Sequence, residues 1–534
     1  MIAPDRSSLR WIALALSVPV LVAGIAWQWG RPWLVSDTAT GLLAWQSWCA
    51  GGPWNCVLEP SPDDLTRDVP LWISWWSPGQ YVWPGIFLSL GLPLGAALIA
   101  SAVVASWIRS LGLFLFLRAL EVEARPAALA AAVEAAGWQI FWSFGMYSGG
   151  ETAQAAIIPW VFLAVAHLRG RTRWWLLALP ALLLAAAFVK HTAFIAGLAA
   201  VAWLWWESNL RSRGGWRTGA VSAALAGLAV LLARWAVGAW IIGAGPTPSG
   251  AGQVHHGWAL ALAYPVVAPL SAATGVGSIV GRVFAILNWT ADGWHRIAPW
   301  VVAVVPLCLA AYAWIFRHCP SGPLRRLLLV MMAVYAAALA FLYARGASVS
   351  LEDRHFRPAG MLVVAAVSAI ACSTSNLRRS VRFCLAFALA GTAAYGLAAE
   401  AARARSLFRL ARVSPAGLTQ PELTPAAAAE LRRRDAERGP FGQIIFCASP
   451  QFALEVQHSR LIATDAGSRP VSWFEPRRWR GRAPHLLLVL PAGWSNDPRL
   501  AAVCACFPAY APAEWSRTIM GETLFLSAGA HTPP

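Results

Sequence analysis

The fold-deciding stretch of the chain is residues 171–213, which read RTRWWLLALPALLLAAAFVKHTAFIAGLAAVAWLWWESNLRSR. Two apolar runs, 174–189 and 191–207, are separated by Lys190 and His191 and are bounded by arginines at both ends. Each run approaches the roughly 20 apolar residues that a helix needs to cross about 30 Å of hydrocarbon. The stretch therefore predicts a hairpin of two membrane helices, with the arginines at its open end and Lys190 and His191 at its tip.

The composition of the whole chain supports a membrane protein. Of its 534 residues, 58% are hydrophobic and only 13% are charged, whereas an ordinary soluble protein is about 25% charged. These values exclude an intrinsically disordered chain, a small secreted disulfide domain and a conventional cytosolic enzyme. A polytopic membrane protein remains.

The net charge of +17 comes from short arginine clusters that lie between the apolar runs. This distribution indicates membrane topology, because cytoplasmic loops are enriched in basic residues, and we therefore expect no nucleic-acid partner. The clusters fall on one side of the predicted membrane, which places the N-terminus of this inner-membrane protein in the cytoplasm and the C-terminus outside it. The eleven predicted spans are 9–29, 93–118, 126–145, 152–168, 174–189, 191–207, 217–243, 297–316, 324–344, 358–374 and 381–400.

The spans define a membrane domain over 1–400 with two long outer loops, at 30–83 and 244–296. Connectors of that length are uncommon unless they carry structure or function. Beyond them, apolar runs such as HLLLVLP (485–491) alternate with amphipathic stretches such as DPRLAAVCACF, which is typical of a small α/β domain. Residues 401–534 are thus expected to form an extracytoplasmic α/β domain. The sequence there has no glycine-rich phosphate loop, so no nucleotide is assigned to it.

Two of the nine cysteines, Cys49 and Cys56, lie in the first outer loop. If that loop faces an oxidising space, a disulfide between them is expected. The cysteine spacings match no zinc motif.

Two acids at the predicted outer face lie where helices begin. Asp37 follows the first span in VSDTATGLLAWQSW, where the structural alternative is a helix N-cap formed by Ser36 or Asp37. Glu151 opens the fourth span in GMYSGGETAQAA, where a carboxylate is favourable because it complements the helix dipole. The preceding Gly149 and Gly150 favour a functional role for Glu151, since they expose backbone to whatever the carboxylate faces.

Lys190 is the only lysine in the chain. A charge within the hydrocarbon costs about 2.5–3.5 kcal/mol on insertion scales, so an ionisable residue there indicates function. The alternative is a cation that snorkels to water from the hairpin tip. Because the 41 other basic side chains among the 42 are arginines, a mere snorkelling cation would also be arginine. A compact ammonium that binds phosphate as a point charge is therefore favoured.

The segment SLEDRHFRPAG (350–360) presents Arg354, His355 and Arg357 at the same predicted face. Three basic side chains in one loop could bind an anionic substrate. The structural alternative is a charged, solvated loop in which Pro358 starts the following helix.

Two further groups have weaker signals. The segment WWSPGQYVWPGIFLSLGLP (75–93) contains Trp75, Trp76 and Trp83, which favour a membrane interface or a sugar-stacking surface. His255 and His256 lie in the second long outer loop and could ligate a divalent metal cation, although a loop histidine is more often merely polar.

The order of these features resembles the GT-C superfamily of integral-membrane glycosyltransferases. An outer acid after span one (Asp37), a WPG segment before span two, an acid opening span four (Glu151), a lysine after span five (Lys190) and an R-x-x-x-P loop (Arg354) occur in that order. The likeness covers about residues 1–400 and is to the protein O-mannosyltransferase and aminoarabinose-transferase branches. In relatives the first acid is often Asp-Glu and the late loop Arg-Tyr-x-x-Pro, so the chain is a divergent member.

The resemblance implies transfer of a sugar from a polyprenyl-phosphate donor to an envelope lipid, glycan or protein, with inversion at the anomeric carbon. Asp37 would deprotonate the acceptor hydroxyl, and Lys190 and Arg354 would hold the lipid phosphate and stabilise the departing charge. Glu151 would orient sugar or acceptor, and a divalent cation would bind at His255 or His256. The remaining substrate-binding candidates are His191, His355, Arg357, Trp75, Trp76 and Trp83.

Two other functions fit part of the pattern. A flippase or transporter of lipid-linked saccharides would also need aromatic residues and a phosphate-binding cation, but transporters commonly have internal repeats and polar residues near mid-membrane. The sequence has no such repeat, and its notable charges gather at one face. A non-catalytic scaffold of an envelope-polysaccharide assembly would fit the C-terminal domain and the departures from the motifs.

Overall fold

The architecture comes from a computed structural model of the chain. It describes residues 6–73, 76–142, 150–211, 216–242, 257–276, 293–347, 349–373, 377–410, 412–420, 422–464, 466, 476–478, 484–510 and 515–529. Trp75, His255 and His256 lie outside these residues.

The described part of the chain is mainly helical. Its helices are α1 (Arg6–Trp29), α2 (Ser36–Cys49), α3 (Gly79–Ser89), α4 (Leu94–Ala119), α5 (Ala124–Trp142), α6 (Gly150–His167), α7 (Trp175–Val189), α8 (His191–Arg211), α9 (Trp216–Val237), α10 (Trp258–Thr274), α11 (Gly293–His318), α12 (Gly322–Ala344), α13 (Arg357–Cys372), α14 (Arg379–Arg409), α15 (Pro425–Gly442), α16 (Pro450–Ala453) and α17 (Pro498–Ala505). The strands are β1 (Cys56–Pro60), β2 (Asp68–Trp72), β3 (Gln443–Cys447), β4 (Arg460–Ala463), β5 (His485–Pro491), β6 (Ser516–Met520) and β7 (Thr523–Ala528).

The chain divides into two compact units. The helical unit falls within Met1–Gln28, Ala102–Ser143 and Gly150–Ala402. The α/β unit falls within Trp29–Ser101 and Arg403–Pro534. The second unit therefore combines most of the predicted first outer loop with the C-terminal segment.

All eleven predicted spans fall on helices, but fewer meet the requirements of a membrane span. Among the described helices, eight are long and apolar enough to cross a membrane: α1, α4, α7, α9, α11, α12, α13 and α14. Helices α5, α6 and α8 are not among them because polar residues, including Glu134, Gln154 and Glu207, lower their mean hydropathy. These three side chains are buried within the protein. The prediction of a polytopic helical membrane protein is confirmed, with eight rather than eleven candidate spans.

The predicted outer loop 244–296 is more than a connector. Its described middle part forms the apolar helix α10, which packs against α11, α12 and α13. Helix α10 begins after Gly257 and ends before Gly275, whose φ of 72° places it in the left-handed region that favours glycine. Helix α10 also contacts charged residues of the helical unit that are described in the next subsection.

The C-terminal part of the chain forms a five-stranded sheet in the order β4-β3-β5-β7-β6. Strand β3 is parallel to β4 and β5, whereas β7 is antiparallel to β5 and β6. Strands β3 and β5 are buried along nearly their whole length, which is why both read as uninterrupted apolar runs. The prediction of a small C-terminal α/β region is confirmed, and β5 coincides with HLLLVLP.

Alternate residues of the central strands pack on opposite faces of this sheet, as the two-residue period of a strand requires. Ile445 belongs to one hydrophobic cluster together with Leu42 of α2 and Leu431 of α15. Its neighbour Ile444 belongs to another cluster, together with Val503 of α17. The sheet is thus covered on one face partly by α2, a helix encoded almost 400 residues earlier.

The tryptophans of the predicted first outer loop contribute to the core of the α/β unit. Trp45 lies directly on Gly85 of α3, where an added Cβ would come within 2.5 Å of the indole ring. Trp76 and Trp83 pack against the same core, and Trp83 Nε1 donates a hydrogen bond to a backbone carbonyl oxygen of α4, 2.9 Å away. Trp45 is buried, whereas Trp76 and Trp83 are partly buried, so a role of the latter two in binding lipid or sugar stays a prediction.

The predicted disulfide between Cys49 and Cys56 is not present, because both are free cysteines. Cys49 is exposed at the C-terminal end of α2, whereas Cys56 is buried at the start of β1. Cys56 Sγ is directed to the carbonyl oxygen of Trp54, 3.4 Å away. Proximity in sequence and a presumed oxidising compartment do not ensure the side-chain geometry that a disulfide needs.

Candidate functional site

Three of the predicted site residues, Glu151, Lys190 and Arg354, come together in the helical unit. The Glu151 carboxylate forms an ion pair with Lys190 Nζ, and the same oxygen, Oε1, lies 3.5 Å from Arg354 Nη1. Arg354 also pairs with Glu352, with 2.7 Å between Nε and Oε2. We refer to Glu151, Lys190, Glu352 and Arg354 as the ion cluster. Residues that are distant in sequence thus meet at one position.

The backbone conformation of Lys190 explains the break between α7 and α8. Helix α7 ends at Val189 and α8 begins at His191, so Lys190 alone joins them. Its φ of −166° and ψ of 139° are extended, and its carbonyl oxygen accepts a hydrogen bond from the backbone N–H of Ala193 at 2.9 Å. A single residue therefore ends one helix and starts the next, as the interruption in the apolar pattern predicts.

Gly150 accounts for the close approach of α6 to Lys190. A Cβ at this position would lie 3.1 Å from the Val189 carbonyl oxygen and 3.5 Å from Lys190 Cγ. The absence of a side chain therefore leaves room for the lysine stem. Glu151, the next residue, lies in the first turn of α6, where the exposed backbone N–H groups and the helix dipole favour a carboxylate.

Arg354 and His355 lie in a short 3-10 helix, Asp353–Phe356, which leads directly into α13. The Tyr335 hydroxyl donates a hydrogen bond to the His355 carbonyl oxygen at 2.5 Å, and Ser350 Oγ lies 3.2 Å from His355 Nε2. These contacts fix the turn from both sides. His355 is buried within the protein, so its position supports the turn that presents Arg354.

Neighbouring positive charges in the ion cluster determine the direction in which the pKa of Glu151 is shifted. Burial alone would raise the pKa of Glu151, but Lys190 and Arg354 outweigh burial and hold that pKa well below its usual range. The Lys190 and Arg354 side chains are 15% and 29% exposed, whereas that of Glu151 is only 6% exposed. The two cations are therefore more accessible to solvent than the carboxylate that pairs with them.

A second group of charged side chains, which we call the buried cluster, consists of Arg109, Glu134 and Arg357. All three are at most 4% exposed, and Glu134 interacts electrostatically with both arginines. Arg357 Nη1 also donates a hydrogen bond to the carbonyl oxygen of Ala272 in α10 at 2.7 Å. The predicted substrate-binding role of Arg357 does not fit this burial, because the guanidinium is held among helices.

Sequence reasoning missed Arg109 and Glu134, although a signal for them exists. Both residues lie within predicted membrane spans, where ionisable side chains are rare and mark functional or structural sites. Attention to every charge inside a span would have identified them. Their pairing with Arg357 could not be read from the sequence, since the three residues lie on different helices.

Asp37 belongs to the α/β unit and is exposed in the first turn of α2. The predicted helix is confirmed, but its N-cap is Val35, and no side chain forms a capping hydrogen bond there. The interpretation of Ser36 or Asp37 as the cap is therefore wrong. A carboxylate at the start of α2 retains its favourable interaction with the helix dipole, and its exposure leaves it accessible to an acceptor.

His191 is the first residue of α8 and is half-buried next to Lys190 in the chain. Within the described ranges, no three histidine, cysteine, aspartate or glutamate side chains gather in an arrangement that could hold a metal ion. His255 and His256 are not part of those ranges, so the divalent cation stays a prediction from the sequence.

Comparison with known proteins extends these observations. No protein-family model matches the chain, and no curated protein matches it in sequence. Among solved structures, ArnT from Cupriavidus metallidurans in the apo state has a TM-score of 0.52 with 11% sequence identity, covering 98% of both chains. A structure of the same protein bound to undecaprenyl phosphate has a TM-score of 0.49 with the same identity and coverage.

The arabinofuranosyltransferase AftD from Mycobacteria has a TM-score of 0.50 with 15% identity. The match covers 98% of the present chain but only 40% of AftD. The helical spans, the ion cluster and the C-terminal sheet define a polytopic membrane protein with a second, α/β unit. By fold, the chain resembles the solved structures of ArnT and AftD.

Proposed function

We propose that this protein is a membrane glycosyltransferase that transfers a sugar from a polyprenyl-phosphate donor to an envelope acceptor on the outer face of the membrane, with inversion. The observation that carries the proposal is the convergence of Lys190 and Arg354 on Glu151. Two cations, one of them at the break between α7 and α8, are suited to a lipid phosphate, whose polyprenyl tail would run along apolar helices.

The accessible cations would bind the donor phosphate. Lys190 supplies a compact ammonium with three donors, and Arg354 supplies a planar fork that can bind two phosphate oxygens at once. As the bond between sugar and phosphate breaks, negative charge grows on the phosphate, and fixed cations stabilise that charge without reorganising. Lys190 and Arg354 therefore favour departure of the lipid phosphate.

Glu151 would act as a positioning residue. Its carboxylate contacts both cations and is the least exposed member of the group. Its negative charge opposes the effect of burial on the Lys190 ammonium, and the ion pair fixes the direction of that side chain. This role differs from the direct contact with sugar or acceptor that the sequence resemblance implies.

Asp37 would act as the general base. Its side chain is exposed to solvent in the first turn of α2, so an acceptor hydroxyl can approach it and give up its proton to the carboxylate. Attack of the resulting oxygen on the anomeric carbon, as the phosphate leaves from the opposite side, inverts the configuration. The acceptor is an envelope lipid, glycan or protein with a free hydroxyl group.

The proposal is tested by replacing Lys190 and, as a control, replacing the cation of a second ion pair in the same unit. Lys190→Ala in nanodiscs should lose most of its binding to undecaprenyl phosphate, measured by native mass spectrometry, and should lose sugar transfer from polyprenyl-phosphate donors. Arg326→Ala is the matched control, because Arg326 pairs with buried Glu207 elsewhere in the helical unit. Equal lipid-phosphate binding by wild type and Lys190→Ala would overturn the proposed donor site.

A further inference from the structure

A cleft of about 400 Å³ lies within the α/β unit, and its described lining includes none of the ion cluster residues. Its lining includes Ala448 and Ser449, which follow β3, and Pro491 and Trp494, at and after the end of β5. From β3 the chain continues to β4 on one side and later to β5 on the other. The cleft therefore lies where the strand order reverses, at the carboxyl ends of parallel strands, which is the usual ligand position in open α/β sheets.

Of the three aromatic residues that line the cleft, Trp33 offers accessible apolar surface. Trp33 is half-buried, and Trp494 and Phe452 are buried in the cleft lining. The guanidinium of Arg499 lies over the Trp494 ring, 4.7 Å from its centroid. Indole rings combine a large apolar face with one N–H donor, which suits the alternating C–H and O–H surfaces of a pyranose ring.

The polar residues of the cleft are pre-positioned by their own hydrogen bonds. Gln451 Nε2 donates to the Leu34 carbonyl oxygen at 3.1 Å, and Gln420 Nε2 donates to the Gln451 carbonyl oxygen at 3.0 Å. The Ser449 hydroxyl donates to the Gln451 side-chain oxygen. Each amide has two N–H donors and an oxygen that accepts twice, so capacity for ligand hydroxyls is left.

The charges of the cleft favour a neutral ligand over a nucleotide or phosphate. The described lining of the cleft contains one cation, Arg499, which pairs with Asp497 at 2.6 Å, and one exposed carboxylate, Glu422, so it has no excess of positive charge. The turn after β3 reads Ala448-Ser449-Pro450-Gln451 and has no glycine to bring backbone N–H groups around a phosphate. Hydroxyl groups, by contrast, can donate to Glu422 and accept from amides.

We propose that this cleft binds a neutral segment of glycan. Aromatic faces, pre-positioned amides, a hydroxyl and a carboxylate in a cavity of this size form a carbohydrate-binding site. Ser36, in the first turn of α2, also lines the cleft, and the next residue is Asp37. This step rests on the proposed function. The bound glycan would be the acceptor, and its hydroxyl group would lie beside Asp37, the candidate base.

Binding is tested on the full chain in nanodiscs by saturation-transfer difference NMR, with neutral hexasaccharides of glucose, galactose and mannose as probes. At least one of the three should bind, and Trp33→Ala should weaken its binding at least tenfold. Trp48→Ala is the matched control, because Trp48 is a partly exposed indole of the same unit outside the cleft lining. Uridine monophosphate should not displace the hexasaccharide.

A second variant, Glu422→Ala, covers the case in which Trp33→Ala fails to fold, and it should weaken binding severalfold. The proposal is overturned if none of the three hexasaccharides binds, if both tryptophan variants behave alike, or if uridine monophosphate competes. The result is separable from the proposed function, because Lys190→Ala should retain hexasaccharide binding while losing undecaprenyl phosphate. Glycan binding without any transfer would remove the transferase proposal and leave the cleft assignment intact.

Discussion

The candidate functional residues of the helical unit and of the α/β unit differ in their exposure to solvent. In the helical unit, Lys190 and Arg354 are held by the nearly inaccessible Glu151. In the α/β unit, Asp37 and Glu422 are exposed. Under the proposed function, this difference would divide the work between the units: the helical unit would hold the cations that bind the phosphate, and the α/β unit would supply carboxylates that bind or deprotonate hydroxyls.

This division predicts different kinetic signatures for the two units. Changes in the ion cluster should alter donor binding and transfer together. Changes at Asp37 should reduce transfer while donor binding persists. An ion cluster variant that lost transfer but kept donor binding, or an Asp37 variant that lost donor binding, would contradict this division.

The largest effect is expected for Asp37→Asn in the α/β unit. A general base contributes about 10²–10⁴-fold in rate, and an amide cannot accept the proton. Transfer of sugar from a polyprenyl-phosphate donor should fall by that order, while donor binding and thermal stability stay close to wild type. Because Val35 and not Asp37 is the N-cap of α2, folding should tolerate the change.

The measurement for Asp37→Asn is turnover, donor binding and thermal stability on one purified preparation. Asp63→Asn is the control, since Asp63 is another exposed aspartate of the same unit. Full activity of Asp37→Asn would assign the base to another residue.

The next largest effect is expected in the buried cluster of the helical unit. Glu134→Ala removes the carboxylate that interacts electrostatically with Arg109 and Arg357, and leaving a buried charge without its compensating partner costs about 3–5 kcal/mol. The variant should lose thermal stability and yield of folded protein. Glu123→Ala, an exposed acid just before α5, should have little effect. A stable, inactive Glu134→Ala protein would instead connect this cluster directly to substrate.

A smaller effect is expected for Lys190→Arg, which keeps the charge of the ion cluster. The larger planar guanidinium does not reproduce a compact ammonium, and Gly150 leaves limited space beside the lysine stem. Because a hydrogen bond to a charged group contributes about 1.5–3 kcal/mol, undecaprenyl-phosphate affinity should fall roughly 10- to 100-fold. Arg326→Lys, the reverse exchange at the other ion pair, should leave that affinity unchanged. Unchanged affinity in Lys190→Arg would favour the snorkelling interpretation.

The sequence predicts local features well where one pattern has one physical cause. A lysine inside an apolar run identifies the break between α7 and α8, and an uninterrupted apolar run identifies β5. Features that depend on contacts between residues far apart in the sequence cannot be predicted from a local pattern. The link between Gln451 and Leu34, for example, joins parts of the α/β unit that are 417 residues apart.

The same reasoning applies to the candidate site. The contacts of Glu151 with Lys190 and Arg354 depend on the packing of other helices around α6, so a local motif does not predict them. Compartment and spacing favour a disulfide between Cys49 and Cys56, but they do not specify side-chain directions. Composition alone cannot distinguish a tryptophan at a membrane surface from one that packs, as Trp83 does, against the core of the α/β unit.

The smallest effect is a pH dependence of stability that should arise from the α/β unit. Burial, and then Arg438 and Arg434, lower the pKa of His485 from 6.5 to about 4. The unfolded chain therefore binds a proton at His485 more readily than the folded protein does. The resulting stabilisation is present above about pH 6.5 and is lost progressively as the pH falls toward 4.

The comparison is between wild type and His485→Gln, with thermal unfolding of the full chain measured from pH 7.5 to 4.5. The amide cannot be protonated, so His485→Gln should lose less stability over this range than wild type does. His485 is half-buried at the start of β5, so solvent screens the effect and a modest difference in slope is expected. Parallel pH profiles would show that His485 does not couple protonation to folding. Because His485 and the ion cluster belong to different units, undecaprenyl-phosphate binding at neutral pH should be the same in both proteins.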